Sequence, residues 1–230
     1  MSGANTAAER ESSASAWRSF VEAPARCVAR PWLQDCLGGI AGDALLESLM
    51  LHPRFQRRLA QRLIDRHGLM PPESLPAPTE EDARLLALPA RAGASLVHYC
   101  GVICHAAAFV REIRAPRVVA LKQRFGDAAF AAALANRELA VAAASDDIEI
   151  LAREVKRDGQ ACVSAWLSLQ PPELAAWLRL GLASGLPEEV LEGASPEVCR
   201  QGPGIVRCAA AIVDAEIRES EHARTADTSG

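Results

Sequence analysis

The residue types best suited to chemistry stand close together in this chain. His98, Cys100, Cys104 and His105 all lie in the apolar run from Ala94 to Val110. Thiolate and imidazole are ligands that zinc takes, and Cys100 and Cys104, four residues apart, share a helix face. His98 and His105 are seven apart, however, and one straight helix cannot aim all four side chains at one ion. No second cysteine–histidine cluster follows downstream. Buried thiols and hydrogen-bonded histidines account for the four residues without a metal. A nucleophilic cysteine needs a histidine held beside a stabilised thiolate, whereas Cys104 and His105 are sequence neighbours, and adjacent helical residues point apart. The sequence has no nucleophile elbow, P-loop, dinucleotide glycine fingerprint or H-E-x-x-H. Asp146, Asp147 and Glu149 pair carboxylates, but acids in the first turn of a helix are stabilised there by its dipole. No catalytic residue, metal or cofactor is expected.

Charge offers a different kind of site. Arg54, Arg57, Arg58, Arg62 and Arg66 fall on one side of an amphipathic helix opened by Pro53 and stopped at Gly68, opposite Phe55, Leu59 and Leu63. Arg111, Arg114 and Arg117, with Lys122 and Arg124 after them, form a second cluster where the apolar run ends. A helix C-terminus favours cations, which accounts for Arg111 and Arg114 but not for five in so short a span; an acidic partner surface accounts for all. Asp65 and neighbouring acids are the alternative partners of the first cluster. The formal net charge of −4 argues against nucleic acid, where clustered positive excess supplies most of the affinity. A helix-turn-helix reader using 53–67 is the weaker alternative.

The elements that must position these groups are helical. Half of the 230 residues are hydrophobic, much of that alanine and leucine, with only five Phe, four Trp and one Tyr. Such side chains lose little rotamer freedom in a helix. The expectation is an all-α, irregular multi-helix bundle around a buried central helix at about 95–113. That apolar run, flanked by Arg91 and Arg111 and containing two histidines, is too short to span a bilayer, so no membrane insertion is expected. The seven cysteines, odd in number, read as free thiols of a reducing compartment. The N-terminus is polar, so no secretory leader is expected.

Taken in order, 1–13 and 219–230 read as disordered tails. An N-terminal helical subdomain covers 14–68, a Pro-rich linker 69–79, and the main helical domain 80–218. Within the last, Thr79 caps a Leu-rich helix, Pro116 opens a helix that ends at Gly126, and an Ala-rich helix runs to about Ala144. Ser145–Asp147 caps the longest helix, with Ile148, Leu151, Val155, Cys162 and Trp166 as its apolar face. A connection is expected over 181–204, followed by a last helix from Ile205.

The order of features from Arg84 to Leu139 resembles the SctK/YscK family, the accessory cytosolic component of bacterial type III secretion systems, including its plant-associated Hrp-type branch. The features are a Leu-rich helix entering at Leu85-Leu86, Gly93, a second apolar helix ending in basic residues, then a Leu-rich helix with a Gly-terminated turn and an amphipathic helix. The resemblance implies a non-enzymatic cytoplasmic adaptor of the injectisome sorting platform, at the cytoplasmic face of the inner membrane. It would link the cytosolic domain of an SctD-type inner-membrane ring protein to an SctQ-type pod protein. The competing reading is a helical metal-dependent enzyme or sensor built on His98, Cys100 and Cys104.

Overall fold

The computed structural model describes residues 3–39, 42–143, 145–181 and 194–227, and among these every regular element is a helix. The all-α expectation holds. No described helix is long and apolar enough to cross a membrane. The chain divides into two compact units, Met1–Ala94 with Leu167–Gly185, and Ser95–Trp166 with Leu186–Gly230.

The first unit contains α1 (Gly3–Glu22), α2 (Arg30–Cys36), α3 (Asp43–Leu51), α4 (Pro53–His67), the short α5 (Glu80–Ala83) and α11 (Pro172–Gly181). Its core joins Phe20, Leu33, Leu46, Leu59, Leu63, Leu174 and Trp177. Trp17 stacks on Phe20, which meets Trp177 edge-on. Helix α1 thus begins well before Trp17, and Ser13, at its middle, is buried and donates to the Glu80 carbonyl at 2.9 Å. The start and stop signals of α4 work as the sequence indicates: Pro53 occupies its first turn, and Gly68 ends it in the left-handed region at φ 64°.

The Pro-rich stretch 69–79 lies inside this unit rather than between two units. Prolines limit regular structure there to one 3-10 turn, Pro72–Ser74, but Leu69, Pro72 and Leu75 are buried and the Trp177 indole donates to the Met70 carbonyl at 2.8 Å. That partner sits about a hundred residues downstream, so local sequence cannot announce it.

The second unit contains α6 (Gly93–Cys104), α7 (Ala106–Val110), α8 (Ala115–Phe125), α9 (Asp127–Ala135), α10 (Ile148–Ser168) and α12 (Pro196–Asp227). Its central apolar segment is buried as expected, with Cys100, Val102, Ile103, Cys104 and Ala106 fully enclosed, but it is two helices and not one. The expected connection over 181–204 falls partly outside the described residues, at 182–193. From Pro196 the chain is already helical, and α12 continues through Pro203. Ser195 caps it by accepting from the Val198 amide, and Val198 and Ile205, seven apart on one face, are both buried across the proline. Tertiary burial here outweighs the hydrogen bond that a proline removes. The Ala-rich helix α9 stops at Ala135, short of Ala144, because Asn136 turns back to bond the Ala132 carbonyl.

Backbone contact through glycine organises this unit. A Cβ added at Gly101 would lie 1.8 Å from the Val155 carbonyl oxygen, and one at Gly159 would lie 2.1 Å from that of Val97. The two glycines answer each other across the α6–α10 crossing, and Gly202 sets α12 against Cys162 in the same way, at 2.9 Å from its Cα. Replacing Gly101 or Gly159 with alanine forces the helix axes apart and should destabilise the fold by about 3 kcal/mol or more, the upper end of overpacking costs. Gly204 has nothing within 4 Å of an added Cβ. Gly204→Ala should therefore be neutral or stabilising by about 0.5–1 kcal/mol through helix propensity, and denaturant melts of the three variants check the contrast.

Candidate functional site: a buried thiol–histidine–carboxylate cluster and two arginine faces

The close crossing brings polar groups together in the core of the second unit. Helix α6 ends at Cys104, and His105 takes a non-helical conformation at φ −95°, ψ 19° before α7 begins. The break has a visible cause. The Cys104 carbonyl, which would accept the Ala108 amide in a continuous helix, accepts those of Val141 and Ala142 instead at 3.0 and 3.1 Å, while the Ala108 amide bonds His105. Breaking the helix between two neighbours removes the divergence that a straight helix imposes on them. The Cys104 thiol, a His105 ring nitrogen and an Asp158 carboxylate oxygen consequently lie within 4.8 Å of one another, all three residues buried.

His105 Nε2 is 2.8 Å from Asp158 Oδ2, and Arg157 grips the same carboxylate with Nε at 2.7 Å and a terminal nitrogen at 3.1 Å. Burial pulls the Asp158 pKa up, but the bonds from His105 and Arg157 outweigh it and hold it below its ordinary value. Arg157 is half exposed and carries the compensating charge toward solvent. His105 Nδ1 is buried without a hydrogen-bond partner.

Two further thiols of this unit, Cys100 and Cys162, are buried as well. Cys100 and Cys104 lie on one face of α6, and Cys162 lies one turn beyond Asp158 on α10, its thiol hydrogen-bonded to that of Cys104. That bond and burial push the Cys162 thiol far up, and burial, helped by the neighbouring Cys104 and Cys208, does the same to Cys100. Both are held protonated, the reverse of an activated nucleophile.

Of the four side chains the sequence singles out, the structure therefore brings Cys104 and His105 together, leaves Cys100 buried one turn earlier on α6, and sets His98 apart. His98 Nε2 bonds the Phe125 carbonyl at 2.9 Å and its ring stacks on Phe125. The residue that joins Cys104 and His105 comes from α10 and is a carboxylate, Asp158, not a member of a second cysteine–histidine cluster. Asp158 had a signal: it fills the seven-residue gap between Val155 and Cys162 in the apolar face of that helix.

The two arginine clusters diverge. On α4, Arg66 pairs with Asp35 at 3.0 Å, and Asp65 is held by Gln61 at 2.8 Å. Arg54, Arg57, Arg58 and Arg62 are exposed, and among the described residues none has a carboxylate partner. Arg62 and Arg66 border an open depression with Asp35, Cys36 and Gly38. The second cluster is largely neutralised within the chain: Arg114 and Arg117 both bind Glu112, at 2.9 and 2.7 Å, Lys122 binds Asp127 and Arg124 binds Glu149. Arg111 is exposed.

No protein family, curated protein or solved structure matches the chain.

Removing Asp158 strands a buried imidazole. Asp158→Ala should cost about 3–5 kcal/mol in denaturant unfolding, the usual loss on breaking a buried pair, whereas Arg157→Ala, at a half-exposed position, should cost much less. The Arg114 side chain and amide, with Arg117, hold the Glu112 carboxyl down at about 2, from an ordinary 4.5. A depressed carboxylate stabilises the fold above its unfolded pKa and loses that contribution as pH falls through its folded one. Glu112→Gln should therefore lower the melting temperature at pH 7, with the difference from wild type shrinking as pH falls from about 4.5 toward about 2.

Proposed function

We propose that this chain is a non-enzymatic adaptor of the SctK type in a bacterial type III secretion injectisome. In this reading it stands at the cytoplasmic face of the inner membrane and links the cytosolic domain of the SctD-type ring protein to the SctQ-type pod protein of the sorting platform. The supporting sequence pattern is the order of helices and breaks from Arg84 to Leu139. The observation that carries the binding mechanism is the outward face of α4, where Arg54, Arg57, Arg58 and Arg62 present four guanidinium groups without a carboxylate partner among the described residues.

Exposed cations that the chain leaves unpaired are available for charge-assisted, bidentate bonds to carboxylates on a partner. Arg114 and Arg117 have already given their forks to Glu112, so Arg111 and the α4 face are the first places for an acidic surface to dock. Such an interface gains mainly in association rate and orientation, and it weakens with salt.

Calorimetric titration of the purified chain with the cytosolic SctD-type domain of its own organism, then with the SctQ-type pod protein, tests the reading. Saturable binding to both is expected. The double charge reversal Arg57→Glu, Arg58→Glu should weaken one of the two by about tenfold or more, the scale of an interface hot spot, without changing the melting temperature. A folded chain that binds neither protein would overturn the assignment.

A further inference from the structure

The corner between α7 and α8 carries the most exposed large apolar side chain among the described residues. Ile113 is 90% exposed, although burying such a side chain is among the larger contributions one residue can make to folding. The apolar surface continues onto α8. Ala115, Pro116 and Val119 are all exposed, and spacings of three and four put them on one face, away from the buried Leu121 and Phe125. Apolar residues scattered singly over a surface need no explanation, but a run of them along one corner marks a contact.

The corner is also held stiff. Glu112 turns inward, its side chain only 7% exposed, and accepts from the Arg114 amide and from two nitrogens of the Arg114 guanidinium at 2.9 Å each, and from Arg117 at 2.7 Å. Four bonds to one carboxylate fix the chain around Ile113, so the isoleucine is presented to water on an ordered turn. An anchor that is ordered beforehand loses little freedom on docking.

We propose that this corner is a docking surface for a protein that offers an apolar pocket rimmed by Asp or Glu, with Ile113 as the anchor and Ala115, Pro116 and Val119 as the flanking contact. In the adaptor reading, on which this rests, the occupant is one of the two platform partners, and the corner is a second surface beside the α4 face. The sign of the rim follows from the charges around the anchor. Arg111 and Arg114 are exposed on either side of Ile113, and the one acid between them is turned inward. The same charges disfavour a second copy as occupant, because two-fold pairing of the corner with itself would set arginine against arginine. An anchor seated in a fitted pocket carries most of the affinity, while rim charges mainly set the association rate and its salt dependence.

The full-length chain and its variants are titrated calorimetrically with the cytosolic SctD-type domain and with the SctQ-type pod protein. Ile113→Asp should weaken one of the two by about thirtyfold or more, the loss at an interface hot spot, and Val119→Asp should weaken the same one. The melting temperature should not change, since both side chains face water. Arg111→Glu should slow association with that partner and make it less sensitive to salt. A wild-type chain that binds both proteins, together with Ile113→Asp and Val119→Asp variants that bind both as tightly, overturns the docking surface and leaves the adaptor reading standing. A folded wild-type chain that binds neither overturns the two together. Binding to phosphatidylglycerol vesicles, or a dimer seen by light scattering, that Ile113→Asp abolishes would give the corner to lipid or to a second copy and would also overturn the proposal.

Discussion

The structure of the second unit depends on backbone touching backbone where α6 crosses α10. Ordinary helix pairs are kept 8–10 Å apart by the side chains between them. At Gly101 and Gly159 there are none, and each glycine faces a carbonyl of the other helix's preceding turn, Val155 for one and Val97 for the other. The approach fixes the axial register of the pair as well as its separation, because a shift of one residue would bring a Cβ into the contact. Gly202 repeats the device one helix further out against Cys162, so α10 is held on two sides by glycines.

That register determines which polar groups meet. Asp158 is the residue before Gly159 and Cys162 is three after it, while Cys104 and His105 follow Gly101 by three and four. Locking the two glycines together therefore sets the carboxylate and one thiol of α10 opposite the thiol and imidazole at the end of α6. A buried carboxylate pays a desolvation cost that only good hydrogen bonding repays, and here three nitrogen–oxygen contacts between 2.7 and 3.1 Å supply it. The helix break at His105 belongs to the same arrangement. It is held open from the far side by the Val141 and Ala142 amides on the Cys104 carbonyl, so the ring does not have to follow a helical course away from Asp158.

Much of this fold is legible in the sequence where the deciding signal is local. Pro53 and Gly68 bound α4, Thr79 accepts the Asp82 amide, Asp147 accepts those of Glu149 and Ile150, and Gly126 ends α8. What escaped reading depends on partners far along the chain. The Pro-rich stretch belongs to the first unit because Trp177 reaches it, and α12 passes through Pro203 because both sides of that proline have buried faces to fill. The cluster was half legible. Its thiols and imidazole stand out in 98–105, but the convergence of Cys104 and His105 required a helix break that no proline or glycine marks. Asp158 belongs to no motif in the sequence, and only its place on the apolar stripe distinguishes it.

The two arginine clusters make the complementary point about charge. In sequence they are alike: several arginines close together. In the structure one has its neutralising acids nearby, with Glu112 taking two arginines at once, and the other has only Asp35, on Arg66. The difference arises because Glu112 lies within five residues of Arg114 and Arg117, whereas the acid closest to the α4 arginines in sequence, Asp65, is engaged by Gln61. Surface guanidinium groups solvated by water cost the fold little, so nothing in folding requires α4 to keep its arginines unpaired, and nothing in folding removes them. Their alignment on one face, with Leu59 and Leu63 buried on the other, makes this helix a rigid mount for positive charge, whereas the second cluster is chiefly a brace within its own unit.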